Sequence, residues 1–79
     1  MRIDKFLKTS RIIKRRTVAK EACEQGKVSI NGKTAKPGDE LKIGDIIAVS
    51  FGSGEMKVQV LELKESVGKD QADSLYKVI

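Results

Sequence analysis

The sequence has no histidine and no tryptophan, one cysteine, one proline, two phenylalanines and one tyrosine. Without histidine and with a single thiol, the usual acid–base, thiol-nucleophile and zinc-binding combinations are missing. One cysteine also excludes an intramolecular disulfide, so we expect Cys23 to be a small core residue in a reducing compartment. Asp39, Glu40 and Asp45 lie in turn sequences, where carboxylates hold backbone amides. We therefore expect a protein that is not an enzyme and that needs no metal and no cofactor.

Long apolar runs are also missing. The opening segment Met1–Lys5 has no stretch long enough for a secretory signal, and no later stretch approaches the length of a membrane span. With 79 residues, one compact domain is the limit. We expect a cytoplasmic protein without a membrane partner.

Charge is present in excess and is unevenly placed. The whole chain carries +5, but residues 1–36 hold eleven basic and three acidic residues, and residues 37–79 hold five basic and eight acidic ones. A merely solvated surface predicts mixed signs throughout. The asymmetry instead predicts that the N-terminal half binds a polyanion.

Two short helices are predicted in this basic half. In the first, Ile3, Phe6 and Leu7 recur on one face, and basic residues occupy the other: Arg2, Lys5 and Lys8. The second is predicted to begin with Thr17 as N-cap and to end before Gly26, a left-handed cap. Its expected buried stripe consists of Val18, Ala19, Ala22 and Cys23.

A two-residue period follows Gly26 and predicts a sheet. Asn31-Gly32 is a strong hairpin signal. The run Ile46–Phe51 is the best candidate for a central strand, and Gly52–Gly54 turns it into the alternating segment 56–63. The predicted class is α+β, with two short N-terminal helices on a small twisted antiparallel sheet over residues 1–63. In the tail, residues 64–79, Ala72, Leu75 and Tyr76 are spaced as on one face of a helix, which predicts a short helix there.

The candidate binding residues are cationic side chains of the helices and their linker. They are Arg2, Lys5, Lys8, Arg11, Lys14, Arg15, Arg16 and Lys20, with Asn31 and Lys33 at the hairpin tip. The arginines lead, because a guanidinium bridges phosphate oxygens and stacks on bases. Each lysine alone is equally well explained as solvated surface, and Asn31 is needed for the turn anyway.

Structured RNA is the expected ligand. Phe6 and Phe51 fall at predicted core positions, so a stacking platform for single strands is not expected. Recognition should then rest on phosphates and shape, which suits folded RNA. Duplex DNA ranks behind, because neither predicted helix is long enough to read a groove convincingly. Replacing Arg2 or Arg16 is expected to weaken binding with little effect on thermal stability.

Four segments in this order resemble the S4 RNA-binding domain, and the resemblance covers roughly residues 1–63. They are Met1–Leu7, Arg16–Ala19, Gly26–Gly32 and Gly44–Ile46. This resemblance implies the S4 fold and RNA contacts by Arg2 and Arg16. Because the domain stands alone, the resemblance narrows to the small ribosome-associated members of the family. The start at Arg2, the run Ile13–Arg16, the length and the tail from Ala72 to Tyr76 look most like the RqcP family of ribosome-associated quality control.

The RqcP resemblance implies binding to obstructed large ribosomal subunits that carry peptidyl-tRNA. The implied partners are large-subunit rRNA, P-site tRNA and an RqcH-type factor that adds alanine tails to stalled chains, and a monomer is expected. Related heat-shock recycling factors usually have a longer basic C-terminal extension and rank second. A regulatory RNA-binding subunit of an RNA-modifying enzyme, or a protein or membrane adaptor, stays open; an adaptor would keep its partner after RNase treatment.

Overall fold

The computed structural model describes all 79 residues. The helices are α1 (Ile3–Thr9), α2 (Arg16–Glu24) and a 3₁₀ helix (Lys69–Leu75). The strands are β1 (Val28–Ile30), β2 (Lys33–Thr34), β3 (Ile46–Phe51), β4 (Gly54–Val60) and β5 (Tyr76–Val78). They form one antiparallel sheet in the order β2-β1-β3-β4-β5, with β3 at its centre. The predicted α+β class is confirmed.

The end of α2 follows the prediction, and its start does not. Gly26 has a φ of 75°, its N–H donates to the Cys23 carbonyl, and the Lys27 N–H donates to the Ala22 carbonyl at 2.9 Å. These paired bonds form a Schellman cap. At the start, Arg15 takes the N-cap position without a side-chain cap, so the predicted capping role of Thr17 is wrong.

The first hairpin has the predicted turn. Asn31 and Gly32 have φ values of 52° and 83°, as a type I′ turn requires, and Ile30 pairs with Lys33 across it. The second hairpin joins β3 to β4 with Phe51 opposite Gly54. Both turns are local features, which is why the sequence predicts them.

The tail is more structured than predicted. The expected short helix is present as the 3₁₀ helix, with Ala72 and Leu75 buried. Tyr76, however, begins strand β5 and pairs with Val60 of β4, so its helical assignment is wrong. The unpaired edge of β4 overrides the local spacing, because its backbone groups need hydrogen-bond partners.

The core lies between the helices and the sheet. The apolar face of α1 is fully buried together with side chains of β3 and β4: Ile3, Phe6, Leu7, Ile47, Val49 and Val58. Two predicted core residues are not in it, since Val18 is 47% exposed and Phe51 is 46% exposed. No element covers the outer side of α2 at Val18 or the end of β3 at Phe51. No helix has the length and apolar character needed to cross a membrane.

Cys23 is buried on the inner face of α2, as predicted. Burial raises the pKa of its thiol from 9.0 to about 11, with smaller contributions from Asp4, Asp39 and Glu24. Because the thiolate is the reactive form, this thiol is inert near neutral pH.

We expect the Cys23 thiol to react with an aromatic disulfide reagent at pH 8 about tenfold or more slowly in the folded protein than in urea. The pKa of the Cys23 thiol is higher in the folded protein than in the unfolded chain. Its contribution to the free energy of unfolding is therefore fully present below pH 9 and is lost as the pH rises toward about 11. Absorbance of the released thiol measures the reaction. Equal rates in buffer and in urea would contradict the burial.

Candidate nucleic-acid interface

A buried carboxylate joins Arg2 and Arg16, the two arginines that the S4 resemblance implies as RNA contacts. Asp4 is only 2% exposed, and its oxygens accept hydrogen bonds from Arg2 Nη2 at 3.1 Å and from Arg16 Nη2 at 3.5 Å. The Lys5 backbone N–H donates to the same carboxylate at 2.8 Å. The two arginine side chains are 48% and 45% exposed, so each keeps donors facing solvent. Arg2 and Arg16 therefore form one pair of oriented cations.

The backbone places this arginine pair. Arg2 immediately precedes α1 and Arg16 is the first residue of α2, so both lie at helix starts. The turn before Glu40 fixes the start of α1, because the Ile3 N–H donates to the Asp39 carbonyl at 2.8 Å and the Asp4 N–H donates to the Pro37 carbonyl at 3.3 Å. Asp4 is thereby held where both guanidinium groups reach it.

A second cationic feature surrounds the linker between the helices. A cavity of about 80 Å³ lies between this linker and the tail, with Lys8, Arg11 and Lys14 on one side and residues 65–67 on the other. None of these three cations has an ion-pair partner within the chain. Glu65 also lines the cavity, and its carboxylate is paired with Lys5. The three unpaired cations around this small polar cavity suit a phosphate group.

Arg11 occupies this position with a left-handed backbone, φ 62°, and caps α1 through a hydrogen bond from its N–H to the Lys8 carbonyl. A side chain at positive φ costs about 1 kcal/mol, which glycine avoids. Backbone strain and cationic charge therefore occur in the same residue.

We expect Arg11→Gly to weaken RNA binding while the free energy of unfolding stays equal or rises by about 0.5–1 kcal/mol. Arg11→Ala is the matched control, because it removes the charge and keeps the unfavourable φ. Urea unfolding and RNA-binding titrations measure the two effects. Unchanged RNA affinity in both variants would remove Arg11 from the interface.

Lys5 is less available than its predicted role requires. It is half-buried and forms an ion pair with Glu65 of the tail. The Lys5 hydrogen bond and charge lower the pKa of the Glu65 carboxyl. This pair links α1 to the tail and neutralises part of the Lys5 charge, although its contribution to stability is small in solvent.

The remaining candidates fall into two groups. Arg15 is exposed beside Arg16, and Lys20 lies one helical turn after Arg16 on the same side of α2. At the hairpin tip, the Asn31 amide Nδ2 donates to Asp45 Oδ1 at 3.0 Å, and its Oδ1 accepts from the Ile46 N–H at 2.9 Å. Asn31 thus joins two loops, while Lys33 is exposed on the edge strand β2. No contact brings the hairpin tip to the arginine pair.

Sequence reasoning did not identify Asp4 as part of the site. Asp4 was the only acidic residue among the basic ones of the first helix. A lone carboxylate of this kind, on the apolar side of a basic helix, is a signal from which a paired and buried position could have been predicted. The tail contribution at residues 65–67 had no local signal.

Comparison with known proteins identifies a family model and several relatives that agree with the S4 resemblance. The S4 domain family model matches residues 1–47. The "RQC P-site tRNA stabilizing factor" of Bacillus subtilis is 51% identical over 79 residues, covering 100% of this chain and 92% of that protein. The "Heat shock protein 15 homolog" of Aeromonas salmonicida is 40% identical over 65 residues, which cover 82% of this chain and 49% of that protein.

Among solved structures, the trimeric heat shock protein 15 of Vibrio cholerae superposes with a TM-score of 0.92 and 32% identity, covering 100% of this chain and 81% of that chain. The sequence segments that resembled an S4 domain thus lie in the part that the family model matches, and the backbone agrees with a solved relative. The chain belongs to the S4 domain family.

Proposed function

We propose that this protein is a non-catalytic RNA-binding factor of ribosome-associated quality control. It binds large ribosomal subunits that carry peptidyl-tRNA, and it contacts large-subunit rRNA and the P-site tRNA. In this role it supports the addition of alanine tails to stalled chains by an RqcH-type factor. The observation that most supports the proposal is the Arg2–Asp4–Arg16 bridge, which fixes two exposed guanidinium groups on one surface.

The proposed mechanism is positional. Arg2 and Arg16 bind RNA phosphates. Lys8, Arg11 and Lys14 bind a further phosphate at the cavity that they line. Because Asp4 orients the arginines before RNA arrives, less side-chain freedom is lost on binding. A tRNA held in this way stays in place while a partner elongates the chain.

Sedimentation of cell extracts through sucrose gradients tests the proposal. We expect the protein in the fractions that contain free large subunits with peptidyl-tRNA, and we expect RNase to release it. Occurrence only with small subunits or lipid, or RNase-resistant association, would contradict the proposal. If about five phosphates are contacted, log affinity for a flexible RNA strand should fall with log salt at a slope near −3.5.

A second candidate is a recycling factor for dissociated large subunits, favoured by the backbone match to heat shock protein 15. The two functions differ in their connection to tailing. Loss of a recycling factor would leave alanine tails intact. Tails that disappear when the gene is deleted would favour the first function.

The oligomeric state is a separate part of the proposal. We expect a monomer, whereas the Vibrio cholerae relative is described as a trimer. Light scattering of the purified protein distinguishes the two by molar mass, given 8.7 kDa for one chain.

A further inference from the structure

An open groove of about 320 Å³ lies between α2 and the end of the β3–β4 hairpin. Most of its lining is apolar, and Lys27 and Ser50 supply polar groups. The apolar lining residues include Ile12, Val18, Ala22, Val49 and Phe51. Val18 and Phe51 are nearly half exposed. The groove is thus an uncovered apolar surface that contains the one strongly exposed aromatic ring of the protein.

The groove adjoins the cationic cavity through a single loop. Arg11 and Lys14 line the cavity, whereas Ile12 and Ile13, which lie between them in the chain, line the groove. The linker between α1 and α2 therefore presents cations on one side and aliphatic side chains on the other. A nucleotide has the matching composition, since a charged phosphate is joined to a base with apolar faces.

We propose that the groove binds one unpaired nucleobase of the RNA, stacked on Phe51, while the linker cations hold a neighbouring phosphate. This inference rests on the proposed RNA-binding function and adds to it a contact with a base. Phe51 and Val18 sandwich the faces of the base, and the Lys27 ammonium and the Ser50 hydroxyl meet its polar edge. Base stacking on an aromatic ring tolerates any base, so the contact selects unpaired over paired nucleotides.

The size and charge of the groove favour a base over a protein segment. Its volume lies at the lower end of the range of roughly 300–1,000 Å³ for small-molecule pockets. A stable protein interface buries about 800 Å² on each partner, far more than two half-exposed side chains provide. The linker cations Arg11 and Lys14, which line the adjoining cavity, also suit a phosphate-bearing ligand.

The test uses the full chain and two RNA hairpins that share one stem and one compact tetraloop and differ only in one bulged adenosine in the stem. We expect the wild-type protein to bind the bulged hairpin more tightly than the hairpin with the fully paired stem. Phe51→Ser should lose this preference, with about a fivefold or larger drop in affinity for the bulged hairpin, because stacking contributes roughly 1–3 kcal/mol per base. Its affinity for the paired hairpin and its salt slope should not change, since no phosphate contact is removed.

Two variants serve as controls. Phe51→Tyr keeps the aromatic face and should retain the preference. Ile43→Ser removes another exposed apolar side chain, 67% exposed and outside the groove, and should behave as wild type.

Three outcomes would overturn the proposal. They are no wild-type preference for the bulge, a Phe51→Ser variant that keeps this preference, and an equal loss of affinity for both hairpins. If the wild type binds neither hairpin nor large subunits, the RNA-binding function itself fails, which is a different result.

Discussion

Replacing Asp4 with asparagine is expected to weaken RNA binding, although the change makes the protein more positive. The carboxylate accepts hydrogen bonds from both Arg2 and Arg16 and is almost fully buried. An asparagine of the same shape accepts at one atom only and presents N–H donors to a guanidinium group. The two arginines then lose their common anchor and their orientation, and the unfolding free energy falls by about 2 kcal/mol.

RNA-binding titrations of the Asp4→Asn protein, carried out well below its melting temperature, measure the loss of affinity. Urea unfolding measures the loss of stability. Asp73→Asn is the control, because it removes an exposed carboxylate with the same change in net charge. We expect this control to bind RNA slightly more tightly, as added positive charge alone predicts. If Asp4→Asn also bound more tightly, orientation of the arginines would have no role.

The double replacement of Arg2 and Arg16 by glutamine is expected to give the largest loss of RNA affinity, about 100-fold if each charge-assisted contact contributes roughly 1.5 kcal/mol. The salt slope should become shallower by about 1.5, since two phosphate contacts are lost. Stability also falls, by about 3 kcal/mol, because Asp4 is left as a buried charge without a cationic partner. Single replacements leave one arginine on Asp4 and cost less.

The matched control for the double variant replaces Lys42 and Lys69, two exposed cations without ion pairs in the acidic half. Filter binding over a salt series and thermal unfolding give both quantities. An equal loss of affinity in the control would mean that net charge, and not the arginine pair, determines binding. An unchanged melting temperature in the double variant would mean that Asp4 does not depend on its partners.

Features set by neighbouring residues were predictable from the sequence. The left-handed Gly26 and the Asn31-Gly32 turn depend on backbone conformations that few other residue types adopt. The residue types at these positions therefore indicate both features. The apolar face of α1 follows from its spacing. The basic surface was likewise visible as a charge asymmetry, because it lies on two consecutive helices.

Features that depend on distant segments were not predictable. Tyr76 is a strand residue only because β4 offers it an edge, and Val18 and Phe51 are exposed only because no layer covers them. The contact that Arg2 and Arg16 share with Asp4 was also not predictable, and the expectation that replacing either arginine changes stability little was made without it. Their shared carboxylate connects binding and stability, and such a contact requires the packing of α1 against α2.

The buried position of Cys23 has a practical consequence for experiments on this protein. Because the native thiol is protected, a cysteine introduced on the surface would be the one accessible attachment point for a maleimide dye. Ser74, exposed in the 3₁₀ helix and outside both concave surfaces, is a suitable site. Ser74→Cys would allow a fluorophore to follow the proposed ribosome association in real time without removal of the native cysteine.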